Sequence, residues 1–100
     1  MDHETKVEGG TVTVRLLDRI TFKDHEAFKV LARRFDEGVQ LMVLDLTAAT
    51  FIDSAGIGML LILHDAAVTR GASFRVRGAT GQVLRVFTAT SIAKALTLEE

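Results

Sequence analysis

The stretch QLMVLDLTAATFIDSAGIGMLLIL, residues 40–63, gives the strongest indication of the fold class. Residues 40–46 form a continuous apolar run bounded by polar residues, which is typical of a strand with neighbours on both edges or cover on both faces. The run from Ala55 to Leu63 contains no polar side chain. Between the two runs, Asp53 and Ser54 stand where a helix begins. The stretch therefore predicts a buried strand, a loop, and a helix from about Ser54 to Arg70.

The segments around this stretch continue the alternation of strands and helices. TVTVRLL (residues 11–17) and SFRVR (residues 73–77) alternate apolar and polar side chains, as half-buried strands do. Thr21 and Asp24 fit a capping box, which predicts a first helix that ends at Gly38.

After SFRVR, a short helix is predicted to carry Val83, Val86 and Phe87 on one face, and AKALTL (residues 93–98) is a candidate terminal strand. Strands that alternate with helices favour parallel pairing with right-handed crossovers. We predict an α/β fold in one domain over residues 1–100. Its sheet has four to five strands, mixed or mostly parallel, packed by about three or four helices. Residues 1–10 are predicted to be a flexible or weakly ordered start.

The composition limits the classes of function. The chain has 100 residues, a net charge of −1 and no cysteine, so it offers no basic footprint for nucleic acid, no disulfide and no thiolate metal site. No secretory signal stands at the N-terminus, and the longest apolar run is less than half of what a membrane-spanning helix needs. We expect a cytoplasmic protein without membrane insertion and without a bound nucleic acid.

Asp53 and Ser54 are the candidate functional residues. In open α/β sheets the functional crevice lies beyond the carboxyl ends of the strands, where loops lead into helices. Asp53 is predicted to cap the helix, with its carboxylate accepting from free amides of the first turn. Ser54 would then be exposed beside the positive end of the helix dipole, a position that favours a phosphate. Plain helix capping explains the same two residues and stays open at this point.

The helix after Ser54 is apolar on all sides, so it needs cover on more than one side. A partner protein or a neighbouring helix of the same chain can supply the second cover. Gly56 and Gly58, which weaken a helix, indicate a close backbone approach or internal packing. On a helical wheel the predicted core stripe is Ile57, Leu60, Leu61 and Val68, and the adjoining or opposite sides carry Met59, Ile62, Leu63 and Ala66.

Catalysis is not predicted. The nucleophile elbow needs a glycine at residue 52, which is Ile52, and nothing places His3, His25 or His64 beside Ser54. Gly56 and Gly58 match the first two glycines of a dinucleotide-binding motif, but Leu61 stands in place of the third, and the sequence has no P-loop. Asp45 and Asp53 can both approach the loop, but two carboxylates alone favour capping or solvated roles over a metal site. We expect no cofactor and no metal.

The run LMVLDLTAATFIDSAGIGMLLIL, followed by GASFRVRGATGQVLRVFTATSI, resembles a STAS domain of the anti-sigma-factor-antagonist type, and the resemblance covers about residues 11–98. The sequence differs from the residues common in that family at three places. Ala55 replaces a common Ser or Thr. Leu17 or Asp18 replaces a common Gly. The last helix opens at residues 79–81 without the usual Pro.

The resemblance implies a single STAS domain that is not an enzyme and that switches between partners. Ser54 would be phosphorylated by an anti-sigma factor that is also a GHKL-type serine kinase, and a PP2C-type phosphatase would remove the phosphate. The unmodified form would bind the anti-sigma factor and release a sigma factor. Asp53, Ala55 and Gly56 would form the phosphosite loop, and the tentative partner-binding residues are Ile57, Gly58, Met59, Ile62 and Leu63. Two alternatives stay open: a STAS subunit of an ABC-type lipid transporter, and a scaffold domain of a signalling assembly.

Overall fold

The computed structural model describes residues 2–90 and 97–99, the latter as backbone only. The strands are β1 (Asp2–Glu8), β2 (Thr11–Ile20), β3 (Leu41–Asp45), β4 (Ala49–Ile52), β5 (Ser73–Arg77) and β6 (Thr97–Glu99). The helices are α1 (His25–Arg33), α2 (Ser54–Thr69) and α3 (Gly81–Ala89), with 3₁₀ turns at Phe22–Asp24 and Arg34–Glu37.

Five of the strands form one continuous path in the order β1-β2-β3-β5-β6, and β4 pairs with the far end of β2. All pairs are parallel except β1 with β2. The predicted α/β class with a mixed, mostly parallel sheet is confirmed, and so is the central position of the strand in residues 40–46, which lies between β2 and β5.

The core lies between the sheet and the helices. The inward side chains of β2, β3 and β5 (Val12, Val14, Leu16, Met42, Leu44, Phe74 and Val76) are all buried. The helix α2 packs on β5 and β4, α1 packs on α2, and α3 packs on β4. This arrangement brings the start of α2 to the edge of the sheet beside the β2–α1 loop.

The structure contains the two local features that the sequence predicts around the first helix. Thr21 and Asp24 form the predicted capping box, in which the Thr21 backbone N–H donates to Asp24 Oδ2 at 2.8 Å. Gly38 closes the first helical segment with φ of 91°, a conformation that costs glycine little. Both features depend on contacts within a few residues, which is why sequence patterns predict them.

Two strands were not predicted. Residues 1–10 were expected to be weakly ordered, yet Asp2–Glu8 form an edge strand paired with β2. All seven side chains of β1 are exposed, so it has no hydrophobic alternation, and backbone pairing holds it. The sequence predicts a loop where the structure has the short strand β4. The candidate strand at 93–98 falls partly outside the described residues; β6 covers Thr97–Glu99.

A row of alternating charges crosses the sheet on the side away from α1 and α2. The register aligns Glu4, Arg15, Asp45 and Arg77 on four neighbouring strands. Arg15 lies 3.5 Å from Glu4, and Arg77 lies 3.8 Å from Asp45. Burial acts to raise the pKa of Asp45, but hydrogen bonds from Thr47 and the charges of Arg77 and Arg15 outweigh it, so the pKa of Asp45 is lowered.

We expect the free energy of unfolding to fall in acid through Asp45. Because its pKa is lower in the folded state than the ordinary 3.8, its contribution is complete above that value and is lost as pH falls through the folded pKa. Urea unfolding at a series of pH values from about 2 to about 5 measures this slope, because the loss falls below the unfolded pKa. The Asp45→Asn variant should show a shallower decline than the parent, and Asp65→Asn controls for loss of one negative charge. Equal slopes for Asp45→Asn and the parent would contradict the assignment.

Candidate functional site

Asp53 ends the β4–α2 connection and caps α2, as predicted. Its Oδ1 accepts from the Gly56 backbone N–H at 2.7 Å. Its Oδ2 accepts from the Phe22 backbone N–H at 3.3 Å. One carboxylate therefore satisfies a free amide of the helix and also ties the helix start to the β2–α1 loop.

Gly56 lies where the helix start meets the sheet. A Cβ at this residue would lie 2.7 Å from Ile52 Cγ1 and 2.9 Å from the Ile20 carbonyl oxygen. The Asp53 backbone N–H also donates to that carbonyl, at 3.2 Å. The predicted close backbone approach is therefore found at Gly56. It is not found at Gly58, where a Cβ would meet nothing within 4 Å.

Gln82 on α3 holds the strand that leads into the site. Its Oε1 accepts from the Ile52 backbone N–H, and its Nε2 donates to the Ile52 carbonyl, both at 3.0 Å. The side-chain amide thus pairs with the two backbone groups of Ile52, as an adjacent strand would do. No sequence pattern had singled out Gln82, because its partner lies 30 residues away.

Ser54 is the first residue of α2, and its side chain is exposed, as is that of Ala55. Within the described part of the chain, the Ser54 hydroxyl makes no hydrogen bond. Asp53 carries out the capping, so the hydroxyl is open to solvent at the positive end of the helix dipole. The cap is therefore made by Asp53, and the Ser54 hydroxyl stays exposed beside it.

His64 and Asp45, for which neither catalysis nor metal binding was expected, have structural partners. His64 lies 3.5 Å from Asp65 and packs edge-on against Phe74, with ring centroids 6.3 Å apart. Asp45 accepts from the backbone N–H and the hydroxyl of Thr47. Among residues 2–90, no group of three or more His, Asp or Glu side chains is arranged to hold a metal ion.

Comparison with known proteins places this architecture in a family. The profile of the STAS domain matches residues 2–100, almost the whole chain. The chain belongs to the STAS domain family. A STAS-domain containing protein of Pseudomonas aeruginosa (strain UCBPP-PA14) is 29% identical over 79 residues, which are 79% of this chain and 78% of that protein.

Solved structures share the fold at low sequence identity. An anti-sigma factor antagonist from Mycobacterium paratuberculosis superposes with a TM-score of 0.83 at 18% identity, over 97% of this chain and 83% of the other. The anti-sigma factor antagonist SpoIIAA in its unphosphorylated form gives 0.84 at 14% identity, over 99% and 89%. The phosphorylated form of SpoIIAA, from Bacillus, gives 0.70 at 15% identity, over 99% and 92%. No helix in the described part of this STAS domain is long and apolar enough to cross a membrane.

The predicted partner-binding residues of the STAS domain divide into two groups. Ile62 is 58% exposed, and Gly58 is partly exposed. Leu63 is fully buried, and Met59 and Ile57 are only 5% and 8% exposed. Those three therefore pack within the domain and present little or no surface to a partner.

The predicted core stripe of α2 is wrong at one end. Val68 is 62% exposed, whereas Leu63 and Ala67 are buried. The physical reason is that both α1 and β5 pack on α2, so its covered side includes Met59, Leu63 and Ala67 and not Val68. The second cover of the apolar helix is thus largely a helix of the same chain, one of the two alternatives that the sequence left open.

The surface beside Ser54 was not predicted. A cleft of about 610 Å³ lies between the β2–α1 loop and the start of α2, lined in part by Arg19, Phe22, Phe51 and Asp53. Phe22 is 66% exposed, and the Arg19 guanidinium stacks over the Phe51 ring at 4.2 Å.

Asp18 begins this segment and takes the position of the expected glycine. It has φ of 65°, a left-handed conformation in which Asp is among the more tolerated residues. Its Oδ1 accepts from the Thr50 hydroxyl at 3.2 Å.

Proposed function

We propose that this STAS domain is an anti-sigma factor antagonist, controlled by phosphorylation of Ser54. The carrying observation is the exposed Ser54 hydroxyl at the first position of α2, with Asp53 already serving as the cap. A kinase can reach such a hydroxyl without unfolding the domain. Likeness in fold to SpoIIAA, which has been solved with and without phosphate, supports the proposal.

The proposed switch acts on the interface more than on the fold. Phosphoserine adds about −1.5 to −2 charge and three acceptor oxygens. The α2 dipole tolerates that charge, so the domain stays folded. A partner surface fitted to a neutral hydroxyl would have to desolvate the charge, and a hundredfold loss of affinity needs only about 2.7 kcal/mol.

The proposed partners follow from this assignment. The unphosphorylated domain binds an anti-sigma factor, which is also the GHKL-type kinase, and a sigma factor is released. A PP2C-type phosphatase restores the binding form, and the circuit operates in the cytoplasm. The cleft with exposed Phe22 lies beside Ser54, so a partner that covers the hydroxyl also contacts this aromatic side chain.

We expect Ser54→Glu to weaken binding to the anti-sigma factor at least about tenfold, and Ser54→Ala to bind at least as tightly as the parent. Calorimetric titration of the purified anti-sigma factor measures both affinities. Thr69→Glu is the matched control, since it adds the same charge at an exposed residue on the far end of α2. It should bind like the parent. Equal affinity of the parent, Ser54→Ala and Ser54→Glu would overturn the proposal.

A second measurement addresses the modification itself. Intact mass of the protein from its native cell should show one added phosphate that maps to Ser54. Co-purification with an ATPase and membrane components, with no phosphate under any growth condition, would instead favour a transporter subunit.

A further inference from the structure

A groove runs between α1 and α2, on the side of the helices away from the sheet. Its first part, about 290 Å³, is lined by residues that include Phe28, Met59 and Ile62. Its second part, about 240 Å³, continues toward Ala66 and Arg70. Both parts share Ala32 and Arg33 as lining residues, so they adjoin each other along the helix pair.

The floor of this groove is apolar, and its edge carries one exposed aliphatic side chain. That side chain is Ile62, which is 58% exposed and which no segment of the described chain covers. Phe28 and Met59 form the base. The groove is open along its length, which suits the side chains of another helix.

The α1 side of the groove is basic. His25, Lys29 and Arg33 all line it, and they are spaced four residues apart, so they lie on one face of α1. Together they span about 12 Å at the rise of a helix. Within the part of the chain that the structure describes, one intrahelical ion pair weakens this charge, from Lys29 to Glu26 at 3.5 Å. The α2 side that faces them carries no charge until Arg70, which is paired with Asp36.

We propose that the α1–α2 groove binds an amphipathic helix of a partner protein that carries acidic residues along one edge. Its apolar residues pack on the exposed Ile62, over the buried apolar base formed by Phe28 and Met59, and its carboxylates face Lys29 and Arg33. Helix-in-groove recognition uses apolar anchors at spacings of three and four residues, and the four-residue spacing of the cations matches carboxylates one turn apart. Complementary charge fixes the direction and the register of the bound helix.

This inference does not depend on Ser54. Ile62 lies eight residues after Ser54, which corresponds to about 12 Å along the axis of α2. The groove is therefore a second contact surface beside the proposed phosphosite. The Ser54→Glu variant should retain binding at the groove within about twofold even where it loses the anti-sigma factor.

The test uses a synthetic amphipathic helix of about 15 residues, with Leu at anchor spacing and Glu along one edge. A matched peptide replaces every Glu with Lys. Titration of each into the isotopically labelled protein is followed by amide chemical shifts. The acidic peptide should shift the amides of Ala32, Ile62 and Ala66, and the basic peptide should bind at least about tenfold more weakly.

Two pairs of variants locate the binding. Ile62→Asp should raise the dissociation constant at least about tenfold, whereas Val68→Asp, on the same helix and 62% exposed, should leave it unchanged. Arg33→Glu should reverse the preference between the two peptides, whereas Arg85→Glu, on α3, should not.

Several results would overturn the proposal. These are equal binding of both peptides, shifts away from the groove, and an equal effect of Ile62→Asp and Val68→Asp. Sedimentation with vesicles of phosphatidylglycerol, lost in Arg33→Glu, would assign the groove to an anionic membrane surface. Concentration-dependent dimerisation lost in Ile62→Asp would assign it to a second copy of the chain.

Discussion

Leu63→Ala is expected to lower the free energy of unfolding by about 3 kcal/mol, whereas Ile62→Ala, one residue earlier, should change it by less than about 0.5 kcal/mol. Leu63 is fully buried in the core, and Ile62 is 58% exposed. Removing the Leu63 side chain loses its transfer free energy and leaves a cavity beneath α2. Removing the Ile62 side chain leaves no cavity, and Ala is the better helix former.

Urea unfolding followed by circular dichroism measures both variants in the same α2 background. The comparison matters because the sequence suggested Leu63 and Ile62 as members of one partner-binding surface. Equal losses of stability for the two variants would show that α2 does not bury Leu63 and expose Ile62 as described. The same Ile62→Ala protein should bind the acidic peptide more weakly while remaining as stable as the parent.

Gly56→Val is expected to destabilise the domain by about 3 kcal/mol, and Gly58→Val by no more than about 0.5 kcal/mol. At Gly56 the added Cβ would lie 2.9 Å from the Ile20 carbonyl, which is backbone and cannot move cheaply, and 2.7 Å from Ile52 Cγ1. At Gly58 a Cβ enters open space. Both residues lie in the first two turns of α2, so the change in helix propensity is the same for both.

Thermal unfolding separates the two effects, since about 1 kcal/mol shifts the midpoint of a domain this size by roughly 4–8 °C. If Gly56→Val fails to fold, Gly56→Ala provides the measurement with a smaller steric conflict and should still unfold at a lower temperature than Gly58→Ala. A Gly56→Ala variant as stable as Gly58→Ala would contradict the close packing of the loop on Ile20 and Ile52.

At the candidate site, the sequence predicted the cap at Asp53, and the structure added contacts to residues far away in the chain. The Asp-Ser pair followed by glycine was enough to predict a helix start, because a cap is made by atoms within three residues. That Asp53 also binds the Phe22 amide, and that Gln82 holds Ile52, depends on residues 31 and 30 positions apart. Short-range patterns carry no information on such pairs.

For the fold, the sequence by itself determined the central strand at residues 40–46, the helix from Ser54, the capping box at Thr21 and the turn at Gly38. The strand follows from its continuous apolar run, and the other three follow from backbone preferences or hydrogen bonds within one turn of chain. Only the tertiary structure decided that β1 and β4 are strands and which side of α2 is buried. β1 pairs without burying a side chain, and the buried face of an all-apolar helix is chosen by the elements that pack on it.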